Sequence, residues 1–546
     1  MQTVSPEWKK AHEQPLLGES FVEISMDITD PDARKSATSS DNGSVYISDT
    51  SEVVSVVDTP VIPYCTLEQN VWVLNGTRES IPDTDYQDGG YVGDVLSNEE
   101  GRFDKKIPTI IIDFGNVFMK LIPGITITWG TAYNEYATHF IVTAYNGDSI
   151  VAKQVVTDNN KVQTLVGLDI AEYDRITVQI LEWCLPEHRA RVDEIFIGLK
   201  KVYSKGNLFS YSHEQIVDPI STSLPKSEIR FSIDNSDNSY NPLNPNSMSK
   251  YLIERQSVTV RYGLKTGTNT IEWIKGGTFY LSEWDAQQNG ISAEFGARDI
   301  LEFMSSKYTD DTYETVVSDD GKTRIKERSL YDLAELVLGA ANLPEDSKWE
   351  IDESLKNIRT SAPLPYDTIA NCLQLIANAG CCVLYPDREG KIHIKPIDKV
   401  SGENTDYKVS AFNSYLKPEI TLAKPIRRIY VKMYDYTIVD GEIKSESAEA
   451  SLGVTVGING ELITVDNPLI TKSPTHWLSV AEWMSAYLKN RMTLKTVTRA
   501  DVSIDALDII SNQNEFATNK MRMTNVRFEY NGAFRGTCEG RVIEDG

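Results

Sequence analysis

Trp72, Arg78, Tyr91, Trp129, Tyr133, His139, Trp183, Glu187, His188 and Arg189 gather aromatic, basic and acidic side chains within residues 59–201. That mixture suits sugar binding, because aromatic faces stack on the apolar side of a pyranose while charged groups bond its hydroxyls. The densest run is Glu182-Trp183-Cys184-Leu185-Pro186-Glu187-His188-Arg189, whose Trp and Arg are typical contact anchors. Trp72, Arg78, Tyr91, Trp183, Glu187, His188 and Arg189 are therefore the expected ligand contacts. Trp72 and Trp129 lie inside strand patterns, where a sandwich core is the ordinary place for them.

Catalysis leaves no comparable trace. The sequence has no HExxH, GxSxG or P-loop, and no GxGxxG opens a helix after a strand. His12, His139, His188, His213, His393 and His476 are scattered without ligand spacing. A glycosidase needs two acids about 5–10 Å apart in space, and 79 acidic residues offer too many pairs to choose among. The stretch Asp234 to Asn246 is rich in Asp and Asn but lacks the spaced acids and closing Glu of a calcium loop, so it is expected to be structural. No enzyme, cofactor or metal is expected. Cys65, Cys184, Cys372, Cys381, Cys382 and Cys538 form no paired CxxC and no disulfide framework, and are expected to be reduced, mostly buried thiols.

Such residues need several cores to position them, since 546 residues exceed what one core holds. The net charge of −25 argues against grip on nucleic acid, which needs a basic surface, although an acidic lining would let a polyanion pass without sticking. The N-terminus has no apolar leader and no window approaches the roughly 18 apolar residues of a membrane span, so the protein is expected to be made and folded in a cytoplasm.

Alternation in Phe21 to Ile28 gives a strand, and the Ser/Thr/Asp-rich residues Lys35 to Asp58 read as a flexible connector or a surface loop with weak strand content. Short strands follow at Asn70–Leu74, Thr109–Phe114, Gly124–Trp129, His139–Tyr145, Val151–Val156, Arg175–Leu181 and Arg191–Leu199, the spacing of a β-sandwich or jelly roll. A second β segment runs from Leu208 to Met304. Leu330, Leu333, Ala334, Val337 and Leu338 then mark a helix behind Ser329, whose spacing to Asp332 resembles a capping box. Ile369 to Ala377 repeat the helical pattern and stop at Gly380, expected to be a left-handed cap, before a hairpin at 382–395. After about Thr405 the pattern is β again, with one helix carrying Trp477, Val480, Ala481, Met484 and Leu488 on one face. The hairpin around Asn531-Gly532 has the plan of that around Asn289-Gly290, a weak internal repeat that suggests two similar barrels.

The stretches SHEQIVDPISTSLPKSEIRFSIDNSDNSYNPLNP, ERQSVTVRYG, GGTFYLSEWD and CLQLIANAGCCVLYPDREGKIHI resemble tail-tip or baseplate hub proteins of tailed phages and prophages, over residues 200–546 and the start of the chain. WVLNG, GGYVGDVLS, PGITITWG and ARVDEIFIG resemble a galactose-binding-like (discoidin-type) jelly roll. The resemblance implies a virion structural protein of the tail tip: two β-barrel modules per subunit, assembled as a trimer whose pseudo-sixfold ring continues the tail tube. It implies other tail proteins as partners (a distal tail ring, the tube, a fibre or spike), and an inserted module that contacts a host glycan or a neighbouring protein.

The expected architecture is thus mainly β and multi-domain, with β-barrel hub modules, a β-sandwich and a small α/β domain. Its parts are an N-terminal segment 1–58, jelly roll 59–201, first barrel 202–324, α/β domain 325–400 and second barrel 401–546. A hexameric distal-tail ring or host-binding adhesin is the first alternative, separated from a trimer by stoichiometry. A cell-wall hydrolase is the second, although the last hairpin is expected to leave no room for a lytic domain before Gly546.

Overall fold

In the computed structural model, described residues are all but 1, 15–17, 44–47, 55–67, 69–87, 245–246, 253, 268–269, 287–289, 311, 345–346, 400–406, 411–412, 456–458, 514–515, 517 and 544–546. The protein is mainly β, with several sheets and a few helices. It divides into two compact units: Ser25–Val202 with Met248–Gln256, and Met1–Ile24 with Tyr203–Ser247 and Ser257–Gly546.

The first unit is a β-sandwich. One sheet runs, in order, β1 (Thr38–Asp41), β3 (Thr109–Phe118), β8 (Tyr173–Trp183), β5 (Ala137–Asn146) and β6 (Ser149–Val156). The other runs β7 (Gln163–Ile170), β4 (Ile122–Trp129), β9 (Arg189–Ile197) and β2 (Tyr91–Leu96), and every pairing in both sheets is antiparallel. Alternation builds the core: Ile110, Ile112, Phe140, Val142, Ile176 and Val178 of one sheet meet Ile125, Ile127, Val192 and Ile195 of the other. Six of the strands legible in the sequence lie here, while Asn70–Leu74 falls outside the described residues.

Within the stretch 35–58, the described residues hold the weak strand content expected there. Thr38–Asp41 pairs with β3, and the turn Thr50–Val54 buries Val53 and Val54 in the sandwich core. Strand β1 consists of Thr, Ser and Asp at an edge, so no apolar alternation announces it.

In the second unit a continuous sheet contains, in order, β12 (Ser257–Lys265), β13 (Ile271–Ala286), β14 (Ser292–Arg298), β11 (Lys226–Asp234), β10 (Leu208–Ile216), β22 (Thr518–Tyr530), β23 (Phe534–Ile543), β21 (Met492–Thr498) and β17 (Glu419–Leu422). The two hairpins of similar plan, β13–β14 and β22–β23, belong to this one sheet and are joined through the β10–β22 pair. Its inner face holds an aromatic core in which His213 touches Phe279 and Phe528 edge-on. His213 Nδ1 lies 2.9 Å from the Tyr262 hydroxyl and Nε2 lies 3.1 Å from Ser227 Oγ. Burial pushes the imidazole down to about 3, so it is neutral in the fold.

The helices Leu330–Ala340 and Ile369–Ala379 and the hairpin of β15 (Val383–Pro386) and β16 (Ile392–Lys395) share a core with a second sheet, β19 (Glu442–Gly453), β18 (Ile426–Val439) and β20 (Glu461–Thr471), and with the helix Pro474–Leu488. Ser329 Oγ accepts the Asp332 N–H at 3.0 Å, as the capping pattern implies. Gly380, by contrast, is not the left-handed cap: its φ is −88°, and the left-handed residue is Cys381 at 55°. Gly380 is required for another reason, since a Cβ there would lie 2.1 Å from Leu355 Cδ2.

Asp299 ends β14 and caps the turn Ile300–Met304, its Oδ1 accepting the Leu301 N–H at 2.9 Å. It is 8% exposed, Oδ2 has no hydrogen-bond partner among the described residues, and burial pushes the carboxyl up to about 7. A folded value above the unfolded one favours the fold when the group is protonated. That stabilisation is complete below about pH 4 and lost as pH rises to about 7. Asp299→Asn keeps the capping acceptor and cannot ionise. It is expected to gain on the order of 2–4 kcal/mol at pH 8 and under about 1 kcal/mol at pH 4, read from denaturant titrations at both.

Candidate functional sites

In the sandwich, the run from Trp183 to Arg191 closes around one buried carboxylate. Glu135, just before β5, accepts the Trp183 Nε1–H at 2.8 Å on one oxygen, and its other oxygen lies 3.0 Å from His188 Nδ1. Arg191 in β9 stands with Nη1 3.6 Å from Glu135 and bonds both oxygens of Glu68, one at 3.0 Å. The Tyr133 ring lies under its guanidinium at 4.4 Å. Glu68, Glu135, His188 and Arg191 are all at most 4% exposed. A buried guanidinium shared by two carboxylates fixes geometry, because each partner would be an uncompensated charge without the others.

The expected ligand contacts therefore separate by depth. Trp183 and His188 point inward to Glu135, Tyr91 is buried in β2, and Trp129 is fully buried with its Nε1–H on Thr164 Oγ1 at 2.9 Å. Arg189 is half-buried, donating Nη1–H to the Gly93 carbonyl at 3.0 Å and its backbone N–H to Glu68 at 2.7 Å. Glu187 is exposed at the turn, with φ of 56°. His139 and Tyr133 are half-buried. Trp72 and Arg78 lie outside the described residues. Glu68 and Glu135 carry no spacing signal; they become visible only when β5 and β9 are brought together.

In the other unit the outer face of the large sheet forms an open groove of about 550 Å³. Two cross-strand rows build it: Glu283, Gly296, Arg230, Ser212 and Glu529, then Asp285, Glu294, Ser232 and Ser210. A Cβ on Gly296 would lie 2.6 Å from Glu283 Cγ, so the glycine lets Glu283 lie flat and meet Arg230 Nη2 at 2.8 Å.

A smaller cavity of about 200 Å³ is lined in part by Tyr385, Arg388, His393, Asp505 and Asp508. Arg388 is buried, donating Nε–H to Asp505 at 2.6 Å and other N–H groups to the carbonyls of Lys275, Val502 and Ile504. His393 lies between Asp387 at 2.9 Å and Glu350 at 3.3 Å, stacked on Tyr385. In the loop that follows Asp234, the side chains of Asp234, Asn235 and Asp237 accept the backbone N–H groups of Ser236, Tyr240 and Ser239. Burial pushes the thiols of Cys372 and Cys538 up to about 11 and about 12, far from a reactive thiolate.

The sheet's last strand, β17, is exposed along its whole length. Ile420 and Leu422 are 64% and 65% exposed, and the adjoining Tyr415 and Leu416 are 57% and 59% exposed. Ile420 stands opposite Leu494 in β21, which is 1% exposed, so the apolar inner face of the sheet continues beyond its cover. No helix among the described residues is long and apolar enough to cross a membrane.

No family model matches the sequence, and no curated protein matches it. Several solved structures similar to the chain are tail proteins, and others include a type VI secretion system component from E. coli. A 43 kDa tail protein of prophage MuSo2 from Shewanella oneidensis aligns with 62% of this chain and 95% of its own, at 10% identity and a TM-score of 0.42. A tail protein from Neisseria meningitidis aligns with 64% of this chain and 94% of its own, at 10% identity and 0.41. A prophage tail protein from Listeria monocytogenes covers 63% and 91%, at 10% identity and 0.39.

Proposed function

We propose that the chain is a structural subunit of a phage or prophage tail-tip hub, three copies forming a ring that continues the tail tube. Its sandwich is a galactose-binding-like module that contacts a glycan or a neighbouring tail protein, and its place is the virion tail tip. The observation that carries this reading is the exposed apolar edge at β17, which no further strand pairs among the described residues. A free edge strand bearing Ile420 and Leu422, with Tyr415 and Leu416 beside it, is an aggregation hazard in a lone molecule and a natural seam in a permanent assembly. Subunit contacts of that kind bury more than roughly 2,000 Å² and are more apolar than transient ones.

The test is Ile420→Asp combined with Leu422→Asp. Both side chains are exposed in the single chain, so its melting temperature is expected to move by no more than about 2 °C. The native mass should fall from three copies to one. A variant that stays trimeric would remove β17 from the seam, and a wild-type hexamer would favour a distal-tail ring instead.

A further inference from the structure

The outer groove contains a like-charge pair that the protein itself does not neutralise. Asp285 in β13 and Glu294 in β14 are direct cross-strand partners, and both are exposed. Like charges placed directly opposite destabilise a strand pair. Neither has an ion-pair partner among the described residues; Arg230, the nearby cation on the floor, is engaged by Glu283 at 2.8 Å and Glu228 at 3.8 Å.

The same face holds a second like-charge pair that is treated differently. Glu214 and Glu228 are cross-strand partners in β10 and β11, and Lys226 bridges them, its Nζ 3.4 Å from one and 2.8 Å from the other. The lysine there supplies what the Asp285–Glu294 pair lacks.

We infer that the groove is a docking site for a lysine- or arginine-bearing segment of a partner protein, with one cationic side chain set between Asp285 and Glu294 as Lys226 is set between Glu214 and Glu228. The floor suits an extended chain. Ser210, Ser212 and Ser232 offer hydroxyls, and Gly296 keeps the centre low. Carboxylates outnumber guanidiniums, with Asp285, Glu294, Glu283 and Glu529 against Arg230 and Arg535, which selects a basic polypeptide over a nucleic acid. The inference rests on the groove's own residues and not on the number of copies in the assembly.

The experiment uses the full chain and a fluorescein-labelled oligolysine peptide, read by anisotropy at low salt. Asp285→Asn with Glu294→Gln is expected to weaken binding by roughly tenfold or more. A control in which Glu442, Glu446 and Glu449 of the exposed strand β19 are each changed to Gln should weaken it less than about twofold. The groove variant is expected to melt no lower than the wild type, because repulsion is removed. Carbodiimide coupling of the peptide to the wild type should give adducts at Asp285 or Glu294. Equal losses in both variants would reduce the effect to the general field of an acidic chain and overturn the inference. So would unchanged binding in the groove variant, adducts confined to other carboxylates, or displacement of the peptide by chitohexaose.

Discussion

Arg388→Ala is expected to cost the unit that carries it on the order of 3–5 kcal/mol, the loss typical of breaking a buried ion pair from one side. Arg388 is 5% exposed, and its guanidinium ties Asp505 and the carbonyls of Val502 and Ile504 in the same segment to the distant carbonyl of Lys275. Burial by itself would raise the Asp505 carboxyl, but Arg388, with the Gln2 amide, more than offsets it and holds the group below its ordinary value. That depressed value stabilises the fold above about pH 4, and the contribution is lost as pH falls through the folded value. Without Arg388, Asp505 keeps the amides of Gln2 and Gln215 but loses its main compensating charge, so burial raises the carboxyl and the fold is favoured more when it is protonated. The variant should therefore lose most stability at pH 7 and least at pH 4, measured by guanidinium titration at each. Adding Asp505→Ala should return part of the loss, since the orphaned charge goes with it.

Glu135→Ala carries a similar expected cost, on the order of 3–5 kcal/mol, confined to the sandwich. It strips the acceptor from Trp183 Nε1 and the partner from His188 Nδ1, and leaves Arg191 with Glu68 alone. Glu135→Gln keeps an acceptor for the indole but not the charge, so its cost should fall to about 1–2 kcal/mol. Limited proteolysis with mass mapping would place the new cleavage sites within residues 25–202 for the alanine variant. An alanine variant as resistant as the wild type would mean that the cluster does not hold the run from Trp183 to Arg191 in place. The same geometry bears on ligand binding, because Trp183 and His188 are committed inward. Sugar contact from this run would fall to Glu187, which is exposed, and Arg189, which is half-buried.

Much of this architecture was legible in the sequence because the core strands alternate and their turns are marked. Ile176, Val178 and Ile180 in β8 face the core at every second residue, and the spacing of Ser329 to Asp332 names a helix start that the structure contains. What the sequence hides has physical reasons. The helix Pro6–Glu13 is a polar run whose single large apolar residue, Trp8, is fully buried and donates its Nε1–H to Asp501 at 3.2 Å. No periodicity signals a helix held by one side chain and a distant acid. The Gly380 position was correctly placed at a helix end but for a different reason, a contact with Leu355 instead of a positive φ. Among site residues, composition pointed to the run from Trp183 to Arg189 but not to its depth. Glu135 and Glu68 gain their meaning only from pairing across the fold, and so does the Asp285–Glu294 repulsion, whose partners are set opposite each other by the register of β13 and β14.

The central claim, a hub subunit that closes into a ring, is tested most directly by the native mass of the purified full-length protein, by light scattering or native mass spectrometry with negative-stain images of the same sample. The expected result is three copies around a central channel. A compact monomer that stays single as concentration rises, with β17 bare, would contradict it.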